Sequence, residues 1–174
     1  FLNKSFIMIN TTVKSLKESV VTKTTEITKK RIDKLCGNLK TIFACNHDVD
    51  QVLNVLKDSI KLNPDMIIIS GAHVSVDRND IIPTSILNAG GKVIYYGMPV
   101  DPGNLMLLGQ INNILILVLP GCARSPSKNG IDLIMEHFVT GGVINKNFIA
   151  SLGVGGLLTD TYSRKSPRDN KIKK

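Results

Sequence analysis

A chain of 174 residues with 43% apolar residues can bury one core, so a single domain with a tail is expected. It has no Trp and only 5% aromatics, which argues against a base-stacking surface for single-stranded nucleic acid, and no apolar run approaches the roughly eighteen residues of a membrane span. Of the net charge of +8, a surplus of +5 lies beyond residue 160, where Arg164, Lys165, Arg168, Lys171, Lys173 and Lys174 face Asp169; the mildly basic remainder suits small anionic ligands rather than nucleic acid.

The apolar run FIMIN (6–10) predicts a strand, and TKTTEITKKRIDKLCG (22–37) a helix with Ile27, Ile32 and Leu35 inward and Gly37 as its stop. TIFAC (41–45) is a second strand. Asp48 caps the next helix, with Gln51 three residues on as in a capping box, and Val49, Leu53, Leu56 and Ile60 form its apolar stripe up to Asn63-Pro64. MIIIS (66–70) is a β-branched run typical of a strand covered on both faces. It opens into GAHVSVDRND, whose Asp80 caps a helix IIPTSILNAG closed by Gly90-Gly91. KVIYYG (92–97) is a strand, MPVDPGN a loop, LMLLGQ (105–110) a short helical piece and ILILVL (114–119) another buried strand. After the long polar loop LPGCARSPSKNG, Asn129 opens a helix with Ile131, Ile134, Met135 and Phe138 on one side.

Strand-helix alternation with doubly buried strands predicts an α/β fold: three layers, a mostly parallel sheet and helices on both faces. The domain is expected over 1–150, with 151–174 a basic tail or linker; starting at Phe1, the chain reads as a fragment. Cys36, Cys45 and Cys122 are odd in number and widely spaced, and no histidine pairs with them at metal-site spacing; this favours a reduced, cytoplasmic setting and disfavours zinc.

Ligands of parallel sheets collect at the carboxyl ends of the strands, where three unusual loops are expected, 70–80, 98–104 and 119–130. Gly71, Gly103 and Gly121 let backbone amides approach a phosphate. Ser70, Ser75, Asn104, Ser125 and Ser127 supply neutral donors, and Arg124 can fork onto phosphate oxygens. Asp77, Asp80 and Asp101 are candidate Mg²⁺ carboxylates, with Asp80 also a helix cap. His73 reads first as a solvated or hydrogen-bonding side chain, and Cys122, with no nearby histidine, as a bystander rather than a nucleophile.

These loops carry a resemblance. Ser70-Gly71-Ala72 with Asp80, Pro102-Gly103-Asn104, and Leu119-Pro120-Gly121-Cys122-Ala123-Arg124-Ser125 resemble, in order and spacing, motifs of the molybdopterin-binding domain of molybdopterin adenylyltransferases and molybdenum insertases. Residues 97–105, 120–126, 129–132, 153–158 and 163–168 resemble a subgroup fused to a molybdopterin cytidylyltransferase-like domain. The resemblance implies a role in molybdenum-cofactor biosynthesis. Molybdopterin or its nucleotide form would be held by Ser70, Gly71, Ala72, His73, Ser75, Asp101, Pro102, Gly103, Asn104, Pro120, Gly121, Cys122, Ala123, Arg124 and Ser125. It further implies nucleotidyl transfer from ATP or CTP with Mg²⁺, Asp77 and Asp80 being catalytic and Asp80 the metal ligand. Self-association as a trimer or dimer and a fused or partner nucleotidyltransferase follow from the same source. The chain departs from the pattern at Ala72, His73 and Cys122-Ala123, and lacks the acidic element that often follows the first strand, so pterin binding is inherited ahead of turnover. A non-catalytic carrier and an oligomerising scaffold are the alternatives.

Overall fold

Three nearly continuous apolar runs build the centre of the molecule. In the computed structural model, which describes residues 1–73, 77, 79–153 and 155–156, they form β1 (Ser5–Thr12), β3 (Met66–Ser70) and β7 (Ile114–Val118). With β2 (Asn38–Asn46), β4 (Lys92–Tyr96) and β6 (Leu107–Ile111) they make a six-stranded sheet in the order β2-β1-β3-β7-β6-β4. The first four of these strands are mutually parallel, and β6 runs antiparallel to both its neighbours.

Side chains alternate across the strands, so each face needs its own cover. Phe6, Met8, Met66 and Ile68 pack against Ile32 of α1 (Glu18–Lys34) and Ile131, Ile134 and Met135 of α4 (Gly130–Val139). Ile149 of the short α5 (Lys146–Ser151) joins them. On the opposite face Ile7, Ile9, Ile67 and Ile69 meet Val52 and Leu56 of α2 (Val49–Lys61) and Ile82 and Ile86 of α3 (Ile81–Asn88). The result is the expected three-layer α/β architecture, mostly parallel, with helices on both faces.

Local chemistry explains most boundaries. Asp48 accepts from the amides of Asp50 and Gln51 at 3.1 and 3.2 Å and starts α2 as expected. The Gln51 side chain, however, accepts from Asn46 N–H at 3.1 Å instead of closing a box on Asp48. The buried ridge of α2 is Val52, Leu56 and Ser59, so Val49, Leu53 and Ile60 lie on its half-buried flank. Asn129 and Asp132 form a full capping box on α4. Helix α1 begins four residues before the expected Thr22, at Glu18.

Residues 105–110 are a correction: in place of a short helical piece, the chain forms β6. Asn112, at φ +52°, and Asn113 turn it directly into β7, and Ile111 pairs with Ile114. Leu107 and Leu108 are buried on opposite faces between β7 and β4, a two-sided burial that leaves no polar side and so no helical period to read. A two-stranded pairing of β5 (Val100–Asp101) with β8 (Gly155–Gly156) was likewise not anticipated. Most of the predicted basic tail, 157–174, lies outside the described residues.

Ile68 is fully buried in the middle of the sheet, whereas Ile42 on edge strand β2 is 43% exposed. Ile68→Ala should therefore cost about 2–5 kcal/mol, seen as a lower urea midpoint, and Ile42→Ala should cost less than about 1 kcal/mol.

Candidate functional site

Because β3 and β7 run parallel as neighbours, their carboxyl ends open side by side. The ladder continues past β7, where Leu119 N–H donates to Ile69 O at 2.8 Å. Beyond it, Ser70, Gly71 and His73 face Leu119, Pro120, Gly121 and Arg124 across one narrow crevice, with Thr24 of α1 completing the lining. Two of the three loops predicted from sequence therefore meet. Residues 121–124 form a single 3-10 turn, in which Ala123 is fully buried and Arg124 half-buried. On the facing wall, Ala72 N–H donates to Thr11 Oγ1 at 2.9 Å, which ties the loop to the end of β1. The enclosed part of the crevice is only about 10 Å³.

The third loop joins at the start of α4. Gly130 N–H donates to Pro102 O at 2.7 Å. Gly103 lies at φ +129°, and a Cβ there would come within 2.6 Å of Gly130 N, so only glycine fits. Asn129 Nδ2 lies 3.6 Å from the Cys122 sulfur. Burial pushes the Cys122 thiol above its ordinary value and Asp101 adds to this, against the pull of its own and Gly103's amides and of Arg31. A thiol held above its ordinary value stays protonated at neutral pH. Asp101, Asn104 and Ser125 are exposed and are not among the residues that line the crevice.

Asp80 occupies the N-cap position of α3, but its Oδ2 accepts from Asp77 N–H at 3.0 Å, and Asp77 Oδ1 accepts from Asn79 N–H at 2.9 Å. Both carboxylates shape the turn that carries them. Among the described residues no three His, Cys, Asp or Glu side chains are placed to hold a metal ion. Ser75 lies outside the described residues.

Two important residues escaped the sequence reading. His47, just after β2, packs edge-on against His73 with ring centroids 5.4 Å apart, and its Nδ1 lies 2.8 Å from Thr11 Oγ1. Nothing in the linear spacing links it to His73. Arg31, in α1, is 7% exposed and reaches the carbonyls of the 121–127 loop. Here a signal was present: if Ile27 and Ile32 point inward, position 31 shares their face, so a cation there is a buried cation.

Burial, followed by the neighbouring His73, holds the His47 imidazole below its ordinary value of 6.5, and Asp80 opposes them only in part. The unfolded chain thus binds a proton that the folded one resists. Stability should be complete above about pH 6.5, fall as the pH drops toward the lowered value, and level off below it. Urea midpoints between pH 5 and 8 should show this slope in the native chain and lack it in His47→Gln.

No protein-family model matches the sequence, and no curated protein matches it. Solved structures do resemble the fold. The molybdopterin biosynthesis MoeA protein from Pyrococcus horikosii is 17% identical with a TM-score of 0.54, over 79% of this chain and 35% of that one. A molybdopterin biosynthesis protein from Mycobacterium abscessus is 10% identical with a TM-score of 0.51, over 80% of this chain and 95% of that one. The chain spans about a third of the Pyrococcus protein, and at these identities the likeness establishes a shared fold.

Proposed function

We propose that the crevice at the carboxyl edge binds the phosphate end of a phosphorylated pterin, molybdopterin or its nucleotide form, and that the domain serves molybdenum-cofactor biosynthesis. The observation that carries this reading is the convergence of Ser70, Gly71 and His73 with Pro120, Gly121 and Arg124 on one crevice. The donor set fits an oxyanion: a hydroxyl, glycine backbone and one guanidinium, which can bind two phosphate oxygens at once. The enclosed volume of about 10 Å³ is too small for a pterin ring, so most of the ligand would lie outside it. The fold shared with two proteins named for molybdopterin biosynthesis supports the ligand class.

Binding ranks ahead of catalysis in this reading because Asp77 and Asp80 already serve backbone amides of their own turn. Their place beside the crevice loop favours a second reading, nucleotidyl transfer to the pterin phosphate. There Asp80, helped by Asp77, would hold Mg²⁺, which commonly binds through one or two carboxylates plus substrate phosphates. The ion would neutralise charge on the phosphates of ATP or CTP, and the chain's residues would align the pterin phosphate with them.

Calorimetric titration with pyrophosphate and with molybdopterin tests the first reading. Wild type should bind both, more weakly as salt rises, and Arg124→Glu should weaken both by about tenfold or more, the worth of a charge-assisted hydrogen bond. Absence of binding to either compound would refute it. Addition of Mg²⁺ with ATP or CTP then separates carrier from transferase: a pterin nucleotide that vanishes in Asp80→Ala marks a transferase, and no product marks a carrier.

A further inference from the structure

Three carbonyl oxygens of an irregular loop converge on one buried side chain. Arg31 Nη1 donates to Ala123 O at 2.8 Å, and Nη2 donates to Ser125 O at 2.8 Å and Ser127 O at 3.2 Å. Its Nε donates to Asp132 Oδ1 at 2.7 Å, with side-chain exposures of 7% for Arg31 and 18% for Asp132. These partners lie 92 to 101 residues away in sequence. Carbonyls facing one another repel, and a loop has no ladder to occupy them, so this shape needs a donor at its centre.

The network does not stop at the loop. Asp132 Oδ2 accepts from Asn129 N–H at 2.8 Å, Asn129 Nδ2 reaches Cys122 Sγ at 3.6 Å, and the next residue, Gly130, donates its N–H to Pro102 O at 2.7 Å. One guanidinium therefore ties α1 to the crevice wall at Gly121–Arg124, to the start of α4 and, through Gly130, to the third loop. We propose that Arg31 is the positioning residue of the crevice: it touches no ligand but sets the loop that carries Gly121 and Arg124. This rests on the reading of the crevice as an oxyanion site. Lysine cannot substitute, because its ammonium is a point donor and cannot span three carbonyls and a carboxylate in one plane.

Arg31→Lys in the full chain tests this by hydrogen exchange and pyrophosphate titration. Exchange of the Ala123, Ser125 and Ser127 amides should quicken by about tenfold or more, while β1 and β3 stay protected. Pyrophosphate affinity should fall by about tenfold. In Arg31→Ala, added guanidinium ion should restore affinity and ammonium ion should not, a rescue that general loss of stability would not produce. Unchanged loop exchange overturns the clamp, and unchanged affinity in a variant with a faster-exchanging loop overturns the positioning role. If Arg31→Lys loses protection in β1 and β3, Asp132→Asn decides: it should quicken the loop alone, and wild-type exchange there overturns the proposal. Failure of wild type to bind pyrophosphate refutes the oxyanion reading, and the exchange arm still judges the clamp.

Discussion

The structure depends on the parallel alignment of β1, β3 and β7, whose core residues are apolar on both faces. Ile67, Ile68 and Ile69 are all fully buried, and so are Phe6 through Ile9. Such strands cannot lie at the surface, so helices must cover both sides and each parallel crossover must return the chain to the same end. The carboxyl ends of neighbouring strands then open together whatever their loops contain. Polar, glycine-bearing loops at those ends are brought together by the core, at a place where backbone amides are no longer used by the sheet.

The loops still need shape, and their own residues supply little of it. The segment after β7 has one 3-10 turn and then a stretch without regular structure. Its carbonyls are satisfied from outside by Arg31, and that cation is balanced by Asp132. Burying such a pair is not a route to stability, since desolvation offsets much of the attraction. Breaking it by removing one partner is a different matter, with typical costs of about 3–5 kcal/mol. A buried ion pair whose remaining donors end on one loop contributes more to geometry than to net folding energy.

This contrast explains what could be read from the linear chain. MIIIS and ILILVL are legible because burial on both faces leaves an unbroken apolar run, and Asp48 and Asn129 are legible because capping acts over two or three residues. LMLLGQ was misread because a strand covered on both faces and a short buried helix share the same letters, and only the Asn112–Asn113 turn decides between them. The crevice loops could be guessed from their glycines. Their supports could not, because Arg31 meets Ala123 across 92 residues and His47 meets His73 through ring packing. Long-range polar contacts leave no period behind; a cation in an inward helical register is the nearest thing to a trace.

The two walls of the crevice are fixed by independent means. The Ser70–His73 wall hangs from β1 through Thr11, whose hydroxyl accepts from Ala72 N–H and also meets His47. The Gly121–Arg124 wall hangs from α1 through Arg31. Neither anchor spends the guanidinium of Arg124 or the hydroxyl of Ser70, and both act on backbone rather than on the side chains that face the crevice. A ligand bound there, as proposed, would meet donors whose backbone is already ordered, and less of its binding energy would be lost to fixing loops. That separation, with anchors behind and donors in front, leaves the facing side chains of Ser70, His73 and Arg124 free to vary without dismantling the place they line.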